Sequence, residues 1–104
     1  MSVTNVISLA TAQKWAETWR ANPDHVVKAF LIPEVDITEL MAEADVQDAR
    51  AYLGIDETGA HKLMLVGVDK NGKDLIDYEN GLYIYDYTTT CPPDCDVSSP
   101  MYRL

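Results

Sequence analysis

The sequence has no long apolar run and no basic residue near its start. Its longest uninterrupted apolar stretch is Leu63–Val68, far shorter than the ~20 residues of a membrane-spanning helix. No basic residue precedes Lys14, and polar residues interrupt the apolar positions before it, which is not the pattern of a secretory signal. We therefore expect a cytoplasmic protein that does not associate with membranes.

Basic residues are scarce throughout the chain. Eight lysines and arginines stand against seventeen aspartates and glutamates, which gives a formal net charge of −9. The basic residues are scattered singly, whereas nucleic-acid binding depends on clustered lysine and arginine. An acidic surface also disfavours binding to anionic lipid. We expect no nucleic-acid or membrane partner, and the charge is compatible with a basic protein partner.

The short motifs of common catalytic and cofactor sites are missing. The sequence has no G-x-S-x-G nucleophile motif, no glycine-rich phosphate loop and no recognisable triad order. The acidic residues around Asn71-Gly72 fail the calcium-loop pattern, because counting from Asp69 the glycine comes fourth and Lys73 fifth. We predict a protein that is not an enzyme and has no cofactor.

Only two cysteines occur, Cys91 and Cys95, with two prolines and an aspartate between them. Thioredoxin-like redox motifs have two intervening residues rather than three. A structural zinc site would have to recruit His25 and His61, each of which stands alone in the sequence. The pair is a candidate disulfide or a candidate stiff turn with two free thiols, and a cytoplasmic compartment favours the reduced form.

The apolar residues that are present predict a single folded domain with two helices. A chain of 104 residues with 47% hydrophobic content can bury one core. Ser8 is placed to cap a helix that runs to Arg20 or Ala21, where Asn22-Pro23 ends it. On this helix Trp15 and Trp19 share a face and are expected in the core. Asp36, with a glutamate three positions later, is the expected N-cap of a second helix.

Period-two patterns and turn residues predict the strands. Asn71-Gly72 is the best hairpin signal, because this pair tolerates positive φ angles. The expected strands are Val26–Ile32, Ala49–Ile55, 62–69, Asp74–Tyr78 and Leu82–Thr88. We predict an α+β fold, an antiparallel sheet of four to five strands with two helices packed on one face. The whole chain, 1–104, forms one domain with 89–104 as an irregular C-terminal tail, and the direction of the first strand is left open.

Three alternating tyrosines mark the last predicted strand as a candidate interface. Tyr83, Tyr85 and Tyr87 form one row in an extended strand, facing away from the helices if Leu82 and Ile84 pack against them. Tyrosine is enriched at interfaces, and an edge strand offers unpaired backbone groups. Alternatively, the row covers the open face of the sheet.

The tail contributes the remaining candidate interface residues, Met101 and Tyr102. The tail has no helical or strand pattern, so its order requires an anchor. A neighbouring copy of the chain and the protein's own domain are the two alternatives.

Several segments together resemble an uncharacterised group of short hypothetical proteins from Bacteroidota-type bacteria. They are "WAETWR", "KAFLIP", "RAYLGID", "KLMLVGVDKNGKDLID" and "IYDYTTTCPPDCDVSSPM". No activity, cofactor or partner is established for that group, so the resemblance implies only a bacterial, intracellular, single-domain protein.

These observations lead to three functional hypotheses. The first is a non-enzymatic interaction or assembly module that forms a homo-oligomer through its last strand and C-terminal tail. The second is an acidic inhibitor or immunity-type protein that binds a basic protein by charge complementarity. The third is a small metal- or ligand-binding protein that uses the cysteines and histidines.

Overall fold

The computed structural model describes residues 5–104, which form an α+β structure of two helices and five short strands. The helices are α1 (Leu9–Arg20) and α2 (Glu34–Met41). The strands are β1 (Ala29–Leu31), β2 (Asp48–Ile55), β3 (His61–Val68), β4 (Asp74–Leu75) and β5 (Thr89–Cys91), with one 3-10 turn at Tyr78–Asn80. The predicted α+β class is confirmed.

Helix α1 has the predicted bounds but not the predicted surroundings. The Ser8 hydroxyl accepts a hydrogen bond from the Thr11 amide at 3.1 Å, which satisfies one free donor of the first turn. No residue of α1 is buried, and Trp15 is 62% exposed. The expectation that Trp15 and Trp19 lie in the core is therefore wrong. In residues 5–104, neither helix has the length and apolar content needed to cross a membrane.

Helix α2 begins earlier than the sequence pattern indicates. Its N-cap is Pro33, and Asp36 lies in the first turn rather than before it. The Asp36 side chain is 4% exposed, and its Oδ2 accepts a hydrogen bond from the Tyr87 amide at 3.1 Å. Asp36 therefore connects the helix to a distant segment of the chain instead of capping the helix.

The long hairpin β2–β3 is the main structural unit. Its register pairs Asp48 with Val68 and Ile55 with His61. A second turn leads into β4, and here Gly72 has φ +80°, the positive value that Asn-Gly turns require. The order of this sheet is β2-β3-β4, so β3 is the central strand and β2 lies at one edge.

The other two strands form a separate sheet. β1 pairs antiparallel with β5, with Phe30 opposite Thr90. The predicted strand Leu82–Thr88 instead makes two isolated bridges, one joining Leu82 to Asp77 and one joining Tyr85 to Leu65. The predicted single sheet of four to five strands is therefore not confirmed. The segment 89–104, predicted to be an irregular tail, begins with β5.

The two faces of the β2–β3–β4 sheet are covered differently. We call the side that carries Leu65 and Gly67 the helix face, because α2 packs there. A Cβ atom added at Gly67 would lie 2.4 Å from Val46 Cγ2 and 3.5 Å from Leu40 Cδ1. We call the other side the open face. Buried apolar side chains among the described residues are Leu40, Leu65, Val66, Val68 and Cys91.

The molecule is flat and has a large surface for its mass. Its principal extents are 45 × 44 × 21 Å, and its radius of gyration is 16.0 Å, compared with about 13 Å for a compact chain of this length. The accessible surface is 7711 Å², whereas a folded monomer of this mass exposes about 5,800 Å². The chain thus leaves roughly 1,900 Å² more surface in solvent than a compact domain would.

Candidate functional site

The middle tyrosine of the row, Tyr85, lies on the helix face. Tyr85 bridges to Leu65, so the two side chains share one side of the sheet. The Tyr85 hydroxyl donates a hydrogen bond to Glu43 Oε2 at 2.5 Å, and the Tyr83 amide donates to the same oxygen at 3.2 Å. Burial and this hydrogen bond raise the pKa of the Tyr85 phenol. The expectation that the row faces away from the helices is therefore wrong for Tyr85.

The other two tyrosines of the row are exposed. Tyr83 packs edge-to-face against Tyr85 and Tyr78, with ring centroids 6.4 and 5.2 Å apart. Tyr87 is 72% exposed, although its amide is held by Asp36. Tyr83 and Tyr87 remain accessible for contact with another molecule, whereas Tyr85 has a structural position.

The C-terminal tail is anchored by its own domain. The Arg20 guanidinium donates to the carbonyl oxygens of Met101 at 2.7 Å and of Tyr102 at 3.1 Å. Lys28 Nζ lies 5.5 Å from the centre of the Tyr102 ring, a cation–π distance. The order of the tail therefore does not require a neighbouring copy of the chain. Met101 is exposed and Tyr102 is half-buried.

The cysteines and histidines do not converge on one point. Cys91 and Cys95 are joined by a disulfide, in place of the free thiols expected for a cytoplasmic protein. His25 stacks on Trp19 with ring centroids 3.5 Å apart, and His61 lies at the start of β3. Within residues 5–104, no group of three or more His, Cys, Asp or Glu side chains is arranged to hold a metal ion.

The acidic residues around Asn71-Gly72 are occupied by hydrogen bonds within the turn and the sheet. Asp69 Oδ1 accepts from the Asn71 amide at 2.8 Å and from the Lys73 amide at 3.0 Å, and these bonds lower the pKa of Asp69. Asp74 accepts from Arg50 and from the Tyr52 hydroxyl. The Asp69 carboxylate therefore stabilises the Asn71-Gly72 turn, and the Asp74 carboxylate binds two side chains of β2.

The cluster of Arg50, Tyr52 and Asp74 was not predicted from the sequence. Arg50 is opposite Val66 on β2–β3, and Asp74 is opposite Val68 on β3–β4. The Arg50–Asp74 ion pair therefore crosses β3 on the open face, above the two valines, which are only 1% and 4% exposed. The hydrogen bond to Asp74 raises the pKa of Tyr52. Only the sheet order brings these residues together, so no local pattern could have identified them.

Exposed apolar side chains occur along most of the described chain, and three groups of them lie on α1, on α2 and on the β2–β3 hairpin. Helix α1 presents Leu9, Trp15 and Trp19, and the outer face of α2 presents further residues. The free end of the β2–β3 hairpin presents Leu53 at 75% and Ile55 at 67% exposure. An apolar cavity of about 330 Å³ lies between α1 and this hairpin end.

The chain matches no protein-family model, no curated protein and no solved structure. The resemblance to the bacterial group stays a prediction.

Proposed function

We propose that this protein is a non-enzymatic assembly module whose function is to self-associate. The observation that carries the proposal is the surface excess: the chain exposes 7711 Å², roughly 1,900 Å² beyond the value for a compact monomer. A standard interface removes about 800 Å² from each partner, and obligate dimers remove more. A standard interface would thus remove part of this excess, and an interface of obligate size would remove most of it.

The contacts of the tail and of Tyr85 favour a self-association surface other than the last strand and C-terminal tail that the sequence indicated. The tail is held by Arg20 on α1, and Tyr85 is bound to Glu43. By contrast, Leu53 on β2 is exposed and has apolar neighbours along its strand. We therefore place the self-association surface on β2 and keep Tyr83 and Tyr87 as secondary candidates.

The mass of the protein in solution tests the proposal. We expect size-exclusion chromatography with light scattering to give at least twice the protomer mass of 11.6 kDa, with dissociation on dilution. Leu53→Asp should shift the equilibrium toward the protomer, because a charge at an apolar interface is costly to desolvate. Val97→Asp, which places the same charge on an exposed tail residue, is the matched control. A protein that stays at protomer mass at high concentration would contradict the proposal.

A further inference from the structure

The outermost strand β2 has a free backbone edge. β3 lies between β2 on one side and β4 on the other, and Tyr85 also bridges to β3 on the β4 side. β2 is eight residues long, and no strand of the described chain pairs with its outer side. Strand edges of this length are a template for pairing with another strand.

The hydrogen bonds of β3 show which backbone groups of β2 are free. The Leu65 amide donates to the Tyr85 carbonyl at 2.8 Å, and the Leu65 carbonyl accepts from the Tyr85 amide at 2.9 Å. Leu65 therefore has no backbone group left for Ala51, which lies opposite it on β2. Because antiparallel ladders alternate, the N–H and C=O of Ala51 point outward, and those of Ala49 and Leu53 do the same.

The side chains along this edge do not protect it. Natural edge strands are usually protected by lysine, proline, a bulge or short length. β2 contains no lysine or proline, and the residues with outward backbone groups are alanines and aliphatic residues. The one cation, Arg50, is directed across the sheet to Asp74, away from the edge.

We propose that β2 pairs antiparallel with β2 of a second copy, with the twofold axis at Ala51, to form one continuous six-stranded sheet. This inference rests on the proposed self-association and specifies its interface. The outward groups belong to alternate residues, and a register that matches Ala51 with Ala51, and Ala49 with Leu53, of the second copy brings them face to face. A twofold axis at Arg50 would instead place two arginines opposite each other, which is unfavourable.

A proline substitution tests the interface. Ala51→Pro removes an outward N–H, so the β2–β3 ladder of the protomer is preserved while pairing with a second copy is lost. We expect the dissociation constant to rise at least about tenfold. Ala51→Ser, which keeps the N–H, is the matched control and should associate like the wild type. Circular dichroism establishes that both variants are folded.

Amide hydrogen exchange of the wild-type protein tests the same interface without a substitution. The amides of Ala49, Ala51 and Leu53 should exchange rapidly in dilute protein and at least about tenfold more slowly in concentrated protein. The amide of Tyr52, which faces β3, should be protected at both concentrations. Intermolecular Overhauser contacts between Ala49 and Leu53 in a mixed-label sample would support the register, and contacts between two copies of Arg50 would overturn it.

The outcomes separate this inference from the proposed function. A wild-type protein that stays a protomer at all concentrations contradicts both. A wild-type oligomer that Ala51→Pro leaves intact, or whose β2 amides exchange equally fast at all concentrations, overturns the edge pairing while self-association stands. Loss of association in Ala51→Pro alone, with concentration-dependent protection of the β2 amides, supports both.

Discussion

A hydrogen bond between Tyr85 and Glu43 joins the irregular segment after β4 to the C-terminal end of α2. The phenol is partly buried and donates to a carboxylate at 2.5 Å. A hydrogen bond to a charged acceptor is stronger than a neutral one. The hydroxyl of Tyr85 therefore stabilises the fold, and this role competes with a role in binding.

We expect the protein to lose stability at alkaline pH, and we expect part of this loss to depend on the Tyr85 hydroxyl. The folded pKa of Tyr85 lies above that of the unfolded chain, so its contribution is complete below the unfolded pKa of about 10. The contribution is lost as the pH rises toward the folded pKa. Urea denaturation at neutral pH should show Tyr85→Phe about 1 kcal/mol less stable than wild type.

The difference between wild type and Tyr85→Phe should shrink above pH 10, since only the wild type loses this contribution on ionisation. Tyr87→Phe serves as the control, because Tyr87 is exposed, and its stability should follow the wild type at every pH. A difference that stays constant into the alkaline range would contradict the assignment.

At the scale of elements, the segment between α2 and β2 leaves no space beside Gly67 on β3. A methyl group there would lie 2.4 Å from Val46 Cγ2. We expect Gly67→Ala to lower the free energy of unfolding by about 1–3 kcal/mol, because a packed contact must separate. Thermal and urea denaturation measure this loss.

Gly54→Ala is the comparison variant for this packing prediction. The methyl group added at Gly54 would meet only Met64 Cε, at 2.9 Å, and the end of a flexible methionine can move. The loss should be clearly smaller than for Gly67→Ala. Equal losses in the two variants would mean that Val46 and Leu40 are not rigidly packed against the strand.

The sequence predicts those elements whose signals are local. The bounds of α1 follow from Ser8 and from the Asn22-Pro23 pair. β2 follows from period-two alternation, and β3 follows from an unbroken apolar run. Alternation also marked Leu82–Thr88, but a strand needs a continuous partner, and this segment makes only two isolated bridges. The apolar stripe of α1 indicates a face without indicating what covers it.

The candidate site was predictable only in part for the same reason. Tyrosine alternation identifies a row, but its direction is decided by Glu43, more than forty residues away along the chain. That β2 is the edge strand depends on the sheet order, which is a tertiary property. The exposed backbone of Ala51 has no signature in the sequence at all.

At the scale of the whole molecule, net charge distinguishes self-association from binding to a basic protein. Two copies of a chain with a net charge of −9 repel each other, and salt screens this repulsion. We expect the dissociation constant of the homo-oligomer, measured by sedimentation at several sodium chloride concentrations, to stay constant or decrease as salt is raised. Binding to a basic partner would weaken under the same change. A steep loss of self-association with salt would contradict an apolar β2 interface.

The edge position of β2 has a consequence for any assembly built through it. A sheet that gains strands at its edge grows longer without growing thicker, because the added strands continue the same layer. The twofold axis then displays each exposed feature, including Trp15 and Trp19 of α1, in duplicate. Such a dimer presents two copies of each exposed surface. A ligand with two matching sites would therefore bind it with higher avidity without any new kind of contact.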